Sequence, residues 1–511
     1  MNRAAKLQNS KAILSPVWSR LSDVVIERGQ GSFVYTSCGR KLLDFTSGIG
    51  VTNTGHCHPK VVKAAQDQVG KLMHVQMGIA YHEPVLQLAE ELKTVVPKGL
   101  DQFFFSNSGA ESVEAALKLA RHATGKPNII SFQGSFHGRT IGAMSVTNSK
   151  NGYRAGYAPL MAGVHVAPYA HCYSMKGPLS GSFSPTNGQI SGGHNANGQV
   201  NGGGSKLNST QRAQTCGQSA CCNEPLNQIE NILATQSAPS ETAAILLEPV
   251  LGEGGYVMPP RSFMKGVREI CDKHGILMIL DEVQTGFGRT GKWFGLEHFD
   301  IKPDILCFAK ALSSGFPLSG IAASPEIQSK WVPGSHGGTM GANAVACAAA
   351  TATLQVIKEE GLVEKAQVRG EQLRSLLHQL RERYPQIADI RGPGLMVAAE
   401  FYTQADDVRP FPNHDPRYAV KKGFTGALTK KCVENGMLLL NTGIHETVRF
   451  IPALNVSQEE LELGFDIFEQ SMKETLKEYY VERDTEARPP QQQVPFFMPL
   501  NDEQGGKKMR M

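Results

Sequence analysis

The sequence predicts an α/β fold: a doubly wound, mainly parallel sheet joined to a smaller α+β domain. Two observations carry this. Between about residues 60 and 330, short apolar runs alternate with helical patterns, which is how strand–helix–strand units read. Beyond residue 336 the order changes to long helices and a few separated strands. The clearest apolar runs are 276–280 and 305–309, each bounded by turn residues, as in buried parallel strands. The first stops at Asp281 and the second at Lys310. Ligands of open α/β sheets sit outside the carboxyl ends of the strands. This fold would therefore bring one carboxylate and one lysine to a common crevice.

In chain order, strand signals at 32–35 and 41–45 flank a turn at Gly39 and lead into a glycine-rich loop, 47–56, where backbone can approach a ligand. Helical patterns follow at 59–72 and 82–96. A strand at 102–106 feeds Ser108, Gly109 and Ala110 into a helix over 111–122, with Val113, Ala116, Leu117 and Ala120 on one face. Such a turn leaves N–H groups and the positive dipole end at one point, which suits an anion. A serine there can equally be a plain helix cap. The strand 128–132 ends at a loop carrying Phe136, His137 and Arg139. From 174 to 220 the chain is rich in Gly, Asn, Ser and Gln; it cannot offset the entropy of ordering and is expected to be a disordered insertion. The strand 243–247 ends at Glu248, and the helix 262–274 leads into the run at 276. A small-residue helix after 341, a long helix at 363–384 and strands at 395–401, 437–440 and 448–451 complete the second domain. Its last helix opens with a capping box, Ser457 and Glu460, and a Val456 with Leu461 staple. The expected division is 1–60 and 336–484 in the small domain, 61–335 in the large one, and a mobile tail over 485–511.

The 511 residues, 41% apolar, suffice for large cores. A net charge of +4 without a basic block argues against nucleic acid or an anionic membrane as partner. Ten scattered cysteines fit a reducing compartment. Cys172, Cys216, Cys221 and Cys222 lack metal-site spacing, so no metal is expected. The least polar window, 341–357, is mostly Ala and Thr and reads as a helix packed inside protein. The first twenty residues hold Arg3, Lys6, Lys11 and Arg20 and no acid, a faint likeness to a transit peptide. Cytoplasm is the expectation, with the mitochondrion as the alternative.

A carboxylate able to pair with a ring nitrogen, plus a lysine able to form a Schiff base, is what pyridoxal phosphate chemistry needs. Taken singly, an aspartate after a strand is usually a turn residue and a lysine there is usually solvated. Five motifs in order change the balance: Asn107-Ser108-Gly109-Ala110-Glu111, Phe136-His137-Gly138-Arg139-Thr140, Glu248-Pro249-Val250 with Gly252-Glu253-Gly254-Gly255, the stretch from Asp281 through Val283 and Gln284 to Gly291, and the Lys310 region. Together, over about residues 15 to 480, they resemble the class III, fold type I, pyridoxal-phosphate-dependent aminotransferases, the family of 4-aminobutyrate, ornithine and acetylornithine aminotransferases.

That resemblance implies a seven-stranded sheet in the large domain and a small domain built from both chain ends. It implies that Lys310 holds the cofactor as a Schiff base and shuttles a proton, and that Asp281 pairs with the pyridinium nitrogen. Val283 and Phe136 would cover the ring, with His137 beside it, and Gln284 would hydrogen-bond its phenolic oxygen. Ser108, Gly109 and Ala110 would receive the phosphate, and Thr339 would reach the phosphate of a neighbouring subunit in a homodimer, or in a tetramer built from it. For the substrate, Ile49 would form an apolar wall, Arg139 would grip a distal carboxylate, and Arg391 the α-carboxylate. Glu248 would neutralise Arg391 while an ω-amino acid is bound. The implied reaction moves an amino group from an ω-amino acid, 4-aminobutyrate first, to 2-oxoglutarate by a ping-pong mechanism. Acetylornithine- or ornithine-type transamination is the alternative, followed by an aminomutase or a decarboxylating transaminase. A non-catalytic regulatory relative is the rival from another class, and retention of Lys310, Asp281 and Gln284 argues against it.

Overall fold

The computed structural model describes residues 13–171, 220–403, 418–443 and 445–480. The insertion expected at 174–220 lies outside them except for Ala220, which opens the helix Ala220–Thr235, and the tail from 485 lies outside them altogether. In chain order the strands are β1 (Ile26–Gln30), β2 (Phe33–Thr36), β3 (Lys41–Asp44), β4 (Gln102–Ser106), β5 (Asn128–Phe132), β6 (Val164–Ala167), β7 (Thr242–Leu247), β8 (Leu277–Asp281), β9 (Ile305–Phe308), β10 (Ser319–Ala323), β11 (Ile387–Arg391), β12 (Val397–Phe401), β13 (Met437–Leu438), β14 (Leu440–Thr442) and β15 (Thr447–Phe450).

Seven of them form the central sheet, in the order β4-β10-β9-β8-β7-β5-β6. The run from β9 to β6 is parallel, and β10 is antiparallel to both neighbours. Every residue of β7 and β9 is buried, so these strands read as unbroken apolar runs rather than alternating ones. Their two faces feed separate cores. On one, Ile129, Leu246 and Ile279 pack with Val113 and Leu117 of the helix Gly109–Thr124. On the other, Ile130, Leu247 and Leu280 pack with Phe263 and Val267 of the helix Arg261–His274. Each such side chain contributes roughly 1.5–3 kcal/mol by leaving water.

The window at 341–357 resolves into the helix Ala344–Glu359, which buries Ala346, Cys347, Ala350 and Leu354 against the helices Pro59–Val69 and Glu83–Lys93. Among the described residues no helix is long and apolar enough to cross a membrane. Two smaller sheets lie beside the central one, and the first of them joins the chain ends. In it, β13 pairs parallel with β3, Met437 against Leu43. The other is antiparallel, in the order β11-β12-β15-β14. The helix Gln458–Tyr479 has the expected Ser457 and Glu460 box, and its Phe468 meets the Phe450 ring at 5.0 Å.

The glycine-rich loop is more specific than a connection. Ser47, Gly48, Ile49 and Gly50 have φ of 46°, 63°, 67° and 75°, one turn of left-handed helix. That conformation costs a β-branched residue about 1–2 kcal/mol. Asp44 holds the turn: its Oδ1 accepts from the Thr46 and Ser47 N–H groups at 2.8 and 3.1 Å, and its Oδ2 pairs with His56 Nε2 at 2.8 Å. The result fixes Ile49 at the edge of the cavity described next.

Candidate active site

The carboxyl ends of β4, β5, β7, β8 and β9 open into one cavity of about 550 Å³. Asp281 is the last residue of β8, where Asp281 lies opposite Cys307 of β9, and Lys310 follows two residues after β9. The two runs that stop at charged residues therefore deliver both charges to the same cavity.

Asp281 is fixed on both oxygens. Its Oδ2 meets His137 Nδ1 at 2.7 Å, and its Oδ1 accepts the Val283 N–H at 3.0 Å. His137 is itself anchored, its backbone N–H donating to Thr147 Oγ1 at 2.9 Å. Ser108 caps the helix Gly109–Thr124 by accepting the Glu111 N–H at 3.3 Å, and it lines the cavity with Gly109 and Ala110. A Cβ on Gly109 would stand 2.9 Å from Val283 Cγ1, so glycine lets the helix start approach the loop after β8. Phe136, Val283 and Gln284 line the same space.

Glu248 follows β7 and accepts the N–H groups of Phe136 at 2.9 Å and Gly252 at 2.8 Å. Burial pushes its carboxyl up to about 7; the neighbouring His137 opposes this and Asp281 adds to it. Burial likewise holds the Lys310 ammonium down at about 8, against the pull of Glu253, with Arg449 adding and Asp281 and Glu248 opposing. A lysine so placed releases its proton more easily than a solvated one, as a nucleophile and proton carrier requires.

The other end of the cavity departs from expectation. Ile49 and Arg139 line it, with the Arg139 guanidinium 4.7 Å from the Tyr153 ring centre and 5.9 Å from that of Phe136. Arg391 does not line it. Arg391 pairs instead with Asp389 at 3.1 Å and Glu400 at 2.6 Å, and donates to the Gly255 carbonyl at 2.8 Å. The expected pairing of Glu248 with Arg391 is thus corrected. The buried arginine that faces Lys310 is Arg449, and its ion-pair partner is Glu253. Sequence reading missed Arg449, Tyr153 and the role of Glu253. A signal existed: Arg449 interrupts the apolar strand 448–451, where a lone arginine between Val448 and Phe450 needs a buried partner or a site. Thr339 lies exposed on the loop before the helix Ala344–Glu359 and is not among the cavity residues of its own chain.

These residues fit pyridoxal phosphate. Gln284 Oε1 and His137 Nε2 are buried without a protein partner, which is costly unless a ligand or water meets them. The first turn of the helix Gly109–Thr124 offers N–H groups to a phosphate, Asp281 a fixed carboxylate to a ring nitrogen, and Lys310 an amine to the aldehyde. No cluster of metal-binding side chains occurs among the described residues.

Comparison with known proteins agrees. The family model for Aminotransferase class-III matches residues 14–472. The chain is 35% identical over 457 residues to the 5-aminovalerate aminotransferase DavT of Pseudomonas aeruginosa, covering 89% of this chain and 95% of the relative. It is also 35% identical over 444 residues to an acetylornithine aminotransferase of Archaeoglobus fulgidus, covering 87% and 94%. Among solved structures, an (S)-enantioselective omega-transaminase from Thermomicrobium roseum superposes with a TM-score of 0.77 at 28% identity, over 93% of this chain and 99% of that one. The chain therefore belongs to the class-III aminotransferases: it is a fold type I transaminase that uses pyridoxal phosphate.

Proposed function

We propose that the chain moves the amino group of an ω-amino acid to a 2-oxo acid, 2-oxoglutarate first, in two half-reactions at one site. The observation that carries this is the Glu253–Arg449 ion pair, set in the same cavity as Lys310 and Arg139. With Glu253 on Arg449, that arginine is not available to an α-carboxylate. An ω-amino acid then places its carboxylate at Arg139 and its amine at Lys310. When Glu253 turns away, Arg449 takes the α-carboxylate of the 2-oxo acid and Arg139 its distal one. One site thereby accepts two differently charged substrates. Pyridoxal phosphate would supply the electron sink when bound; Lys310 would carry the proton at its Nζ, and Asp281, steadied by His137, would hold the ring nitrogen.

The donor class follows from Arg139 and the apolar wall at Ile49; its chain length does not. The relatives act on different donors, 5-aminovalerate in one and acetylornithine in another, so 4-aminobutyrate is not singled out. The test is glutamate formation by the holoenzyme from 2-oxoglutarate with 4-aminobutyrate, 5-aminovalerate or acetylornithine. Glutamate from at least one donor is expected. Product from a single substrate without glutamate would point to an aminomutase and remove the proposal.

A homodimer is part of the same reading. Thr339 and its neighbour Met340 are exposed, and so are Met73, Ile79 and Tyr81. Asn343 Nδ2 donates to the Met73 carbonyl at 3.0 Å, and His82 Nε2 meets the Ala342 carbonyl at 2.9 Å, so the two segments adjoin. Exposed apolar clusters of this kind mark interfaces. Thr339 would then serve the partner's phosphate site, and sedimentation at assay concentrations should give a dimer.

A further inference from the structure

One charged group beside the cavity has no part in the scheme above. Lys150 precedes the short turn Asn151–Tyr153. That turn is pinned to the end of the central sheet. The Asn148 N–H donates to the Ser135 carbonyl at 2.8 Å, Asn148 Nδ2 to Ser131 Oγ at 3.0 Å, and Arg154 Nη1 to Asn148 Oδ1 at 2.6 Å. Tyr153 is thereby fixed with its ring edge-on to Phe136, 5.3 Å between centres. The Lys150 ammonium stands 5.8 Å from the Tyr153 ring centre and the Arg139 guanidinium 4.7 Å from it, so both cations use one aromatic ring. Among the described residues, Arg139 and Lys150 have no carboxylate within ion-pairing distance. Lys150 is only half-exposed, and burial lowers its pKa while Glu253 raises it and Arg449 and Arg139 lower it. All three of those groups line the cavity. Arg139, Lys150 and Arg449 thus gather three cations at the substrate end, of which Arg449 alone is paired, with Glu253. A dianion with carboxylates at both ends would balance that charge; a monoanion would not.

We propose that Lys150 is a specificity-determining residue that, with Arg139 and beside the Tyr153 ring, binds the distal carboxylate of a dicarboxylic 2-oxo acid. This rests on the transaminase reading above and adds to it a preference among acceptors. The chain selects a dicarboxylic acceptor over a monocarboxylic one of similar chemistry, because the second carboxylate meets two cations, Arg139 and the half-exposed Lys150, that no carboxylate of the described residues pairs.

The experiment compares 2-oxoglutarate with pyruvate as acceptors for the wild-type holoenzyme, Lys150→Met and Lys150→Arg. The ratio of kcat/KM for 2-oxoglutarate over that for pyruvate should fall roughly three- to tenfold in Lys150→Met and recover in Lys150→Arg. Equilibrium binding of glutarate, a non-reacting dicarboxylate, should weaken by a similar factor relative to butyrate. A wild-type preference for 2-oxoglutarate that survives Lys150→Met, with glutarate binding unmoved, overturns the proposal and leaves the transaminase reading standing. A wild type that shows no preference between the acceptors removes the two-carboxylate reading and this proposal together.

Discussion

The two ends of the cavity are built differently. The cofactor end comes from one continuous region, residues 102–310, whose parallel strands deliver Ser108, Phe136, Glu248, Asp281 and Lys310 to one edge of a single sheet. The substrate end is assembled from distant segments: a left-handed turn near residue 49, the loop of Arg139 and Tyr153, the glycine-rich loop of Glu253, and Arg449 on a separate sheet. The first arrangement fixes the chemistry by local sequence and sheet topology. The second leaves substrate choice to contacts between elements that lie outside the central sheet.

The largest expected effect falls at the cofactor end. Lys310→Ala should lower turnover about 10³-fold or more, and the absorbance of the lysine-bound cofactor should vanish. Retained turnover in that variant would contradict the assignment of Lys310. The next effect separates the two candidate arginines. Arg391→Gln should cost stability rather than specificity, because it leaves Asp389 and Glu400 buried beside a neutral amide. Loss of about 3–5 kcal/mol by denaturant unfolding is expected. A change in the KM for 2-oxoglutarate without loss of stability would return Arg391 to the substrate site.

The smallest effect concerns the loop that begins at Asp281. Glu282 is fully buried and accepts from the Gly295 and Leu296 N–H groups at 2.8 and 2.7 Å. Burial pushes its carboxyl from the ordinary 4.5 up to about 7. The folded state then holds a proton that the unfolded state has released between those values, so stability falls as pH rises through this window. Glu282→Gln has no such proton to lose. Its Tm relative to wild type should therefore rise between about pH 4.5 and 7, and a constant difference across that range would refute the assignment.

The contrast also explains what the sequence made legible. β4 and β5 are found at the expected residues, 102–106 and 128–132, because each is a short apolar run with a turn signal at its end. Asp281 and Lys310 were readable for the same reason: an abrupt end to an apolar run marks a strand edge. β10 was not expected, since Ser-Gly-Ile-Ala-Ala has weak strand preference; burial of all five residues between β4 and β9 holds it. β11 was missed because Arg391-Gly392-Pro393 reads as a turn, which is correct for the end of that strand but hides the strand before it. The expected pairing of Glu248 with Arg391 differs from the structure at long range. Both Arg391 and Arg449 lie on strands of the same small sheet, and only the sheet order decides which one faces Lys310. Periodicity carries no information on that choice.

Arg449→Gln tests the two-substrate site most directly, with the half-reactions measured separately on the holoenzyme. The donor half-reaction with an ω-amino acid should keep its rate within a few fold, since that substrate leaves Arg449 paired with Glu253. The acceptor half-reaction with 2-oxoglutarate should slow by about 10²-fold, the loss expected when a buried charge partner is removed. Equal slowing of both halves, or of neither, would contradict the account.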